Sequence, residues 1–448
     1  MSKVTNASRR RFLKHSTMAS ITFMFTPGIA RTYAANEKLV MACIGAGGQA
    51  SGGINQALGQ HLVAVAEVDQ NDRAKGSLAK VKEKQPDAKL YTDYRKLFDE
   101  HPKLDAVWIG TPDHHHYPAA IRALNAGAGV YCEKPLTWSI WEARRLREVA
   151  NDKKLATQMG NQGHSSDSIR LICDHVWGGT LGEVKEVHCT CNRRFSAKGR
   201  PDSQPVPAGL DWEAWLGVAP HRDFHKGLHP FSWRGYLDFG TGSLGDMACH
   251  NVDGPVWALK LNEAESFEVE AEFGKPTDEG WPAEAVIVYR FPKRGDMPPV
   301  TLTWYHGGKR PKEIKGLDEG QPVQSQGSYL IGEKCTLYSG SHCQGTRLWP
   351  SNVNAETPKP KELVKRSPKG HAGDFLEGCR TGQHLLPSSN FDYAARLTEI
   401  VLAGNLACLV GEKLTYNFKD GKTNNAKANE LLKRQPRKGW ELGYEEKA

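Results

Sequence analysis

The sequence predicts an α/β protein in two parts. The N-terminal part is a parallel, doubly wound sheet, and the C-terminal part is an α+β domain built on an open, mainly antiparallel sheet. Short apolar strands alternate with helical patterns over residues 36–158, which is typical of parallel sheets covered by helices. Beyond residue 158 longer strand-like runs are separated by turns and polar loops. The 448 residues suffice for two or three domains, and 39% hydrophobic with 25% charged residues is ordinary for a globular protein.

Six apolar runs predict the strands of the first domain, which we expect over residues 36–158. Helical patterns lie between them, for example at 118–125 and 140–151. The predicted strands are residues 39–44, 62–68, 89–92, 105–110, 130–132 and 155–159.

The second domain is expected over residues 159–448. Its loops at 194–210 and 306–326 are rich in Gly, Pro, Lys and Gln, and we expect substrate specificity to lie in such loops. Predicted strands cover 184–192, 267–273, 283–291 and 300–305, and predicted helices cover 372–380 and 393–409.

The first 35 residues predict a twin-arginine signal peptide. Residues 8–14 contain three consecutive arginines followed by Phe12 and Leu13, and a weakly apolar stretch follows at 17–30. We therefore expect export by the twin-arginine machinery to the periplasm or the exterior. Six positive charges and no acidic residue lie in this segment, so the net charge of +8 falls to about +2 for the remainder. A nearly neutral body argues against a nucleic-acid partner, and no run reaches the roughly 18 apolar residues of a membrane span.

A glycine-rich turn follows the first predicted strand and opens a helix. Its residues are Gly45, Ala46, Gly47, Gly48 and Gln49, and Ala50 stands where the dinucleotide-binding pattern G-x-G-x-x-G has its third glycine. Such a turn lets backbone amides approach a pyrophosphate. Glu67 lies at the end of the second strand, where a carboxylate accepts ribose hydroxyls and repels a 2′-phosphate. We therefore expect NAD rather than NADP, with Asp69 as a possible substitute for Glu67.

Two further elements carry acid–base chemistry. Lys134, between Glu133 and Pro135, follows the fifth strand and can project into the cleft at the carboxyl edge of the sheet. Asp246 and His250 are four residues apart on a predicted helix, so they share one face and could pair as an oriented acid–base catalyst. A surface pair or two ligands of a metal site are the alternatives.

Two other patterns argue less for function. His114, His115 and His116 are consecutive and point in different directions, and Cys189 and Cys191 lack the spacing of a metal site, so no metal is expected. Trp212 and Trp215 could stack on a sugar, but their spacing of three favours core packing.

In this order, the motifs resemble those of the Gfo/Idh/MocA oxidoreductases, the family of glucose–fructose oxidoreductase and inositol dehydrogenase, and in particular its exported branch. The resemblance covers residues 38–416 and implies an NAD-binding Rossmann domain, a sugar or polyol substrate, and a second domain whose sheet often forms the interface of a homo-dimer or tetramer. It implies that Lys134 hydrogen-bonds the reacting hydroxyl, that His250 exchanges its proton, and that Asp246 orients the site or binds substrate. The cofactor-binding residues it implies are Gly45, Ala46, Gly47, Gly48, Gln49, Glu67, Thr111, Pro112, His116, Glu133 and Lys134. Ala50 and Glu67 depart from the more usual Gly and Asp.

Export constrains the reaction, because free NAD is not expected to be abundant outside the cytoplasm. The sequence therefore suggests an oxidoreductase of a sugar, glycoside or cyclitol that retains its NAD. An NAD-dependent glycosidase or lyase working by transient ring oxidation is the alternative. An inactive carbohydrate-binding protein on the same fold is a further one.

Overall fold

The computed structural model describes residues 37–197 and 199–445. The predicted signal peptide, residues 1–35, lies outside the described residues and stays a prediction.

The N-terminal sheet consists of six parallel strands, which confirms the predicted doubly wound fold. They are β1 Val40–Ile44, β2 His61–Ala66, β3 Lys89–Tyr91, β4 Ala106–Ile109, β5 Gly129–Cys132 and β6 Thr157–Met159. Their order in the sheet is β3-β2-β1-β4-β5-β6. The order reverses between β1 and β4, and a crevice for ligands opens at the carboxyl ends of strands at such a point.

Helices connect these strands, and their ends follow local chemistry. At the start of the helix Ile140–Lys153, the Ser139 hydroxyl accepts from the amide of Glu142, whose carboxylate accepts from the Ser139 amide at 2.9 Å. The helices of this part are α1 Ala50–Ala57, α2 Asp72–Lys84, α3 Tyr94–Glu100, α4 His116–Asn125 and α5 Ile140–Lys153.

The C-terminal part is built on a second sheet of nine strands. They are β7 Val184–Thr190, β8 Ser266–Phe273, β9 Ala285–Phe291, β10 Val300–His306, β11 Gly327–Gly332, β12 Thr336–Ser339, β13 Arg347–Trp349, β14 Leu414–Asn417 and β15 Lys422–Thr423. Their order is β13-β12-β11-β7-β10-β9-β8-β14-β15. Neighbours are antiparallel except β7 and β10, which are parallel, so the predicted mainly antiparallel sheet is confirmed.

The described residues of this part also form eight helices. They are α6 Asp167–Trp177, α7 Trp212–Leu216, α8 Gly242–Asn251, α9 Asp253–Ala258, α10 Ser351–Glu356, α11 Gly370–Thr381, α12 Phe391–Val410 and α13 Ala426–Glu430. Short 3-10 turns occupy Asp113–His115, Gln162–Ser165, Ser232–Gly235, Leu261–Glu263 and Ser341–Cys343.

The N-terminal sheet is completed by a helix from far along the chain. Trp108 of β4 stacks on Tyr131 of β5 with ring centroids 3.5 Å apart, and Phe375 of α11 packs edge-on against Trp108. Phe375 and Leu376 belong to the same buried cluster as β1 and α1. The first structural unit therefore includes residues beyond the expected boundary at 158.

Helix α12 lies in the centre of the protein. It is the one helix in the described part of the chain that is long and apolar enough to cross a membrane, and most of it is buried. The buried Glu399 accepts from Tyr416, and Asn405 donates to the Thr241 carbonyl. Packing in the core accounts for its apolar composition.

Candidate active site

A cavity of about 330 Å³ runs along the carboxyl edge of the first sheet and reaches α8 and the 341–343 turn. It brings together most of the residues that the sequence singled out. The predicted residues that line it are Gly45, Gly47, Gly48, Gln49, Glu67, Thr111, Pro112, Glu133, Lys134, Asp246 and His250.

The glycine turn lies directly against the turn that follows β4. Gly45 has a φ of +92°, and a Cβ on it would lie 2.8 Å from the Gly110 carbonyl oxygen. A Cβ on Gly110 would lie 2.5 Å from the Cβ of Ala50. The two turns therefore approach each other through backbone atoms without side chains at this end of the cavity. Ala50 fits where the motif more usually has its third glycine only because the neighbouring residue, Gly110, has no side chain.

Glu67 lines the cavity as predicted, but its carboxylate also braces the glycine turn. It accepts from the amides of Ala46 and Gly47 at 2.7 and 3.2 Å, and from the amide of Asp69 at 2.9 Å. Burial raises the pKa of Glu67 and outweighs these three amide bonds. Two of the amides that a pyrophosphate was expected to meet are thus engaged by this side chain.

The other groups around the glycine turn fit a nicotinamide dinucleotide. Within the described residues the amides of Gly48 and Gln49 donate to no other group. The Arg73 guanidinium lies 3.3 Å from where a Cβ on Gly48 would stand, which places a cation beside the turn. Free amides and a cation at the start of a helix are the groups that bind phosphate.

Farther along the cavity, Glu133 provides a hydrogen-bond acceptor. Its Oε2 is enclosed and meets no hydrogen-bond partner in residues 37–197 and 199–445, and a Cβ on Gly160 would lie 2.5 Å from that oxygen. Burial raises the pKa of Glu133 to about 7, although Lys134 opposes the rise. An unpaired, enclosed carboxylate oxygen suits a hydroxyl donor such as that of a ribose.

Two predicted cofactor residues do not line the cavity, and their assignment is corrected. Ala46 is fully buried and contributes only its amide to Glu67. The His116 ring is buried behind the site, with its nitrogens 2.6 Å from the Pro135 carbonyl and 2.9 Å from the Thr111 carbonyl. His116 therefore fixes the two loops that follow β4 and β5 and does not contact the cavity.

Lys134, Asp246 and Arg234 form the charged centre of the site. Lys134 Nζ donates to Asp246 Oδ1 at 2.9 Å and to the Asp246 carbonyl at 3.0 Å, and Arg234 Nε donates to the same Oδ1 at 3.2 Å. Burial alone raises the pKa of Asp246, but the two cations outweigh it and hold that pKa below its ordinary value. Asp246 is thus an ionised anchor for Lys134.

His250 lies one helical turn from Asp246 without pairing with it, which corrects the expected Asp–His dyad. The Asp246 carboxylate is directed to Lys134 and Arg234, and the enclosed Nδ1 of His250 has no hydrogen-bond partner among the described residues. Burial, followed by the charges of Lys134 and His342, lowers the pKa of His250 well below its ordinary value. His250 is therefore a neutral imidazole, the form that accepts a proton.

The other histidines and tryptophans of interest are held by contacts within the protein, and of these His115 and Trp215 also line the cavity. Nε2 of His114 lies 2.9 Å and Nε2 of His115 lies 2.7 Å from the carbonyl oxygen of Trp215. Trp212 and Trp215 stack on each other with centroids 4.5 Å apart in a buried cluster. Among the described residues no group of three or more His, Cys, Asp or Glu side chains is arranged to hold a metal ion.

Sequence reasoning missed several residues of the cavity. Arg73, Gln162, Arg193, Arg234 and His342 all line it. Arg73 is six residues from Glu67 in the sequence. The others lie outside any recognised spacing, and only folding brings them to the site.

The turn that carries Gln162 is held by a buried polar cluster that the sequence also did not reveal. Asp253 accepts from Asn161 at 2.9 Å and from the Tyr393 hydroxyl at 2.6 Å, and its carboxylate lies 2.9 Å from His164 Nδ1. This cluster fastens the 161–165 segment to α9.

Only part of the predicted specificity loops reaches the cavity. Phe195, from the 194–210 loop, lines it. The 306–326 loop instead packs its Ile314 and Val323 on Tyr329 and Ile331, in a small buried cluster separate from the main core. Within one chain, the 306–326 loop contributes no lining residue.

Comparison with known proteins matches both parts of the chain. A model of the oxidoreductase family, NAD-binding Rossmann fold, matches residues 39–161, and a model of the oxidoreductase family, C-terminal alpha/beta domain, matches residues 170–442. Levoglucosan dehydrogenase of Pseudarthrobacter phenanthrenivorans is 26% identical over 163 residues, 36% of this chain and 34% of that protein. D-xylose 1-dehydrogenase (NADP(+)) of Hypocrea jecorina is 39% identical over 94 residues, 21% of this chain and 24% of that protein.

Among solved structures, an inositol dehydrogenase homologue from Azotobacter vinelandii, in complex with NADH and myo-inositol, shares the fold. It superposes with a TM-score of 0.54 at 16% sequence identity and covers 86% of this chain and 98% of its own. The two family matches together span most of the chain, with the glycine turn in one and the Asp246–His250 helix in the other. The chain belongs to the Gfo/Idh/MocA family of NAD-binding oxidoreductases that act on CH–OH groups.

Proposed function

We propose that this protein oxidises a hydroxyl of a sugar, glycoside or cyclitol to a carbonyl and reduces a carbonyl in turn, using NAD that it retains through turnover. One observation carries the proposal. A single cavity joins the dinucleotide-fitting turn at Gly45 to the charged centre of Lys134 and Asp246 and to the neutral His250. The names of the relatives, which are sugar dehydrogenases, support the substrate class.

Lys134 and His250 have different roles in the oxidation of an alcohol. Lys134, fixed by Asp246, donates to the substrate oxygen and stabilises the negative charge that develops there. His250 accepts the hydroxyl proton. When bound, the nicotinamide supplies the hydride acceptor or donor.

The far side of the cavity suits a sugar ring. Phe195, Phe231 and Trp233 line it, and the Arg234 guanidinium lies 4.3 Å from the Trp233 ring and 4.7 Å from the Phe231 ring. Aromatic faces bind the C–H faces of a sugar, while charged groups nearby bind its hydroxyls.

The proposal favours NAD over NADP because Glu67 places a carboxylate next to the ribose end of the turn. Replacing Glu67 by Ser removes that charge. We expect the preference for NAD, measured as the ratio of the two dissociation constants in stripped protein, to fall at least tenfold. An unchanged ratio would contradict the role of Glu67.

Retention of the cofactor follows from the expected export through the twin-arginine machinery to the periplasm or exterior. A protein that loads NAD before export and keeps it needs redox-neutral turnover. Either a second substrate returns the hydride, or the hydride returns to the same substrate.

The test is to purify the exported full chain without added nucleotide, denature it and analyse the supernatant by mass spectrometry. About one equivalent of NAD or NADH per chain is the expected result. A chain that is empty and also fails to bind added NAD would overturn the proposal and favour the inactive carbohydrate-binding alternative.

Substrate assays then separate the reaction types. Oxidation of one sugar coupled to reduction of another supports the oxidoreductase. Release of the aglycone from a synthetic glycoside would instead favour the NAD-dependent glycosidase or lyase. We also propose a homo-oligomer, a dimer or tetramer, which light scattering of the purified protein measures directly.

A further inference from the structure

The turn between β12 and β13 has an unusual backbone at the edge of the cavity. His342 and Cys343 have φ values of 60° and 55°, a left-handed conformation that non-glycine residues seldom adopt. Such strain persists only where the surroundings hold it, and it is concentrated at functional sites.

This turn is fastened to the end of α8, next to His250. The Cys343 thiol donates to the His250 carbonyl at 3.1 Å and accepts from the Gly254 amide at 3.2 Å. The amide of His342 donates to the side chain of Asn251 at 3.2 Å. The backbone of the turn is thus locked to the helix that carries His250.

The strained residue His342 places its imidazole ring against that of His250. The rings of His342 and His250 have centroids 4.0 Å apart and are tilted by 35°. Both side chains line the cavity, but His250 is 4% exposed whereas His342 is solvent-exposed. Nδ1 of His342 also lies 2.7 Å from the Ser341 hydroxyl, which orients the ring.

His250 needs such a neighbour because, within the part of the chain that the structure describes, no carboxylate is placed to receive its proton. In that part its Nδ1 has no hydrogen-bond partner, and Asp246 is engaged by Lys134 and Arg234. The charged and titratable groups around the pair are Lys134 after β5, Asp246 in α8, Arg193 after β7 and His371 in α11. Lys134 and His371 disfavour a proton on His250, and within this set only His342 combines ring contact with access to solvent.

We propose that His342 relays protons between His250 and solvent. The inference rests on the proposed function. The substrate hydroxyl gives its proton to His250, and a nicotinamide held in the cavity would supply the acceptor for the hydride from the same carbon. His250 passes a proton to His342, and His342 passes one to water or a buffer base. Both imidazoles end neutral, and reduction of a carbonyl runs the same steps backwards.

The variant that tests the relay is His342→Asn, because asparagine tolerates a left-handed backbone but has no titratable ring. In dilute buffer we expect its turnover to fall at least tenfold and to recover when free imidazole is added. The matched control is His221→Asn, which removes an exposed histidine that does not line the cavity and should change nothing. Loss of turnover that imidazole does not restore, or no loss at all, would overturn the relay.

A second measurement does not depend on turnover. In protein labelled with 15N-histidine, the exchange of the His250 ring proton with water should be slower in His342→Asn than in the unaltered protein. Equal exchange rates would refute the relay even if no substrate has been found, whereas failure of all substrates with slowed exchange would count against the proposed function alone. If the asparagine variant does not fold, His342→Gly, which adopts the same φ without strain, is measured in its place.

Discussion

The ammonium of Lys134 lies 2.9 Å from an oxygen of Asp246, and the guanidinium of Arg234 lies 3.2 Å from that same oxygen. One carboxylate thus holds two cations that arrive from different elements, Lys134 from the end of β5 and Arg234 from a 3-10 turn. All three side chains are largely enclosed, so their attraction is screened less than that of surface pairs. This contact joins the first domain to the second at the point where we place the reacting hydroxyl.

Replacing Lys134 by Met should remove most of the activity. The substitution keeps the length of the side chain but removes the donor that stabilises charge on the substrate oxygen, and losing one such donor lowers kcat about 10²–10³-fold. Turnover and bound NAD are measured together, and we expect the NAD content to change less than twofold. Lys82→Met, on the exposed face of α2, is the control. Activity within tenfold of the unaltered protein would contradict the role of Lys134.

Arg234→Gln should shift the acid limb of the pH profile. Asp246 has a pKa below its ordinary value because Lys134 and Arg234 outweigh its burial, so removing one cation raises that pKa. As pH falls, Asp246 is then protonated earlier and releases Lys134 earlier. The acid limb of kcat/KM, which Asp246 places below pH 3.8 in the unaltered protein, should therefore move to higher pH, and Arg234→Lys should restore part of the shift.

Arg194→Gln serves as the comparison, since Arg194 is exposed, pairs with Glu284 at 3.7 Å and does not line the cavity. A profile for Arg234→Gln that superposes on that of Arg194→Gln would show that Arg234 does not tune the site.

Glu133 should make the protein less stable as pH rises. Burial raises its pKa from 4.5 to about 7, so the folded protein binds this proton more tightly than the unfolded chain does. Stability is therefore highest below pH 4.5 with respect to this group and falls as pH rises to about 7, by at most about 3 kcal/mol. Asp113, with its pKa raised by burial to about 6, adds a slope of the same sign.

The measurement is the free energy of unfolding of NAD-free protein at several pH values, for the unaltered chain and for Glu133→Gln. The variant should lose the part of the decline between pH 5 and 7.5 that Glu133 causes and keep the part due to Asp113. Parallel curves would mean that Glu133 is not titrating in the folded protein.

The sequence predicts the strands of the first sheet well because their apolar runs are local and bounded by turn residues. Strands β11 to β15 were not predicted, since they are short and several carry glycine or charged residues. Helix α11 was predicted, but its place on the first sheet depends on contacts between Phe375 and Trp108 that no local pattern records.

The site shows the same division. The spacing of Asp246 and His250 correctly put them on one helix, yet the partner of the carboxylate was decided by Lys134 and Arg234, which only the fold brings near. No sequence pattern predicted that His342 would lie at the site, because its position depends on a left-handed backbone that distant contacts hold in place. His116 was expected at the cofactor, but burial turned its ring toward two carbonyl oxygens.

Gly45→Ala should disrupt the cofactor site, and Gly52→Ala on the adjoining helix should not. A methyl group at Gly45 would lie 2.8 Å from the Gly110 carbonyl oxygen, at a φ of +92° that disfavours any side chain. The two turns must then separate, which displaces the amides that face the cavity, and we expect NAD content to fall at least tenfold with a stability loss above about 1 kcal/mol. A Cβ on Gly52 meets no atom within 4 Å, so alanine there should stabilise α1 by up to about 1 kcal/mol and leave NAD bound. Both variants are compared by thermal melting and by the mass-spectrometric NAD assay. Equal NAD content in the two would show that the close approach of the Gly45 and Gly110 turns does not build the cofactor site.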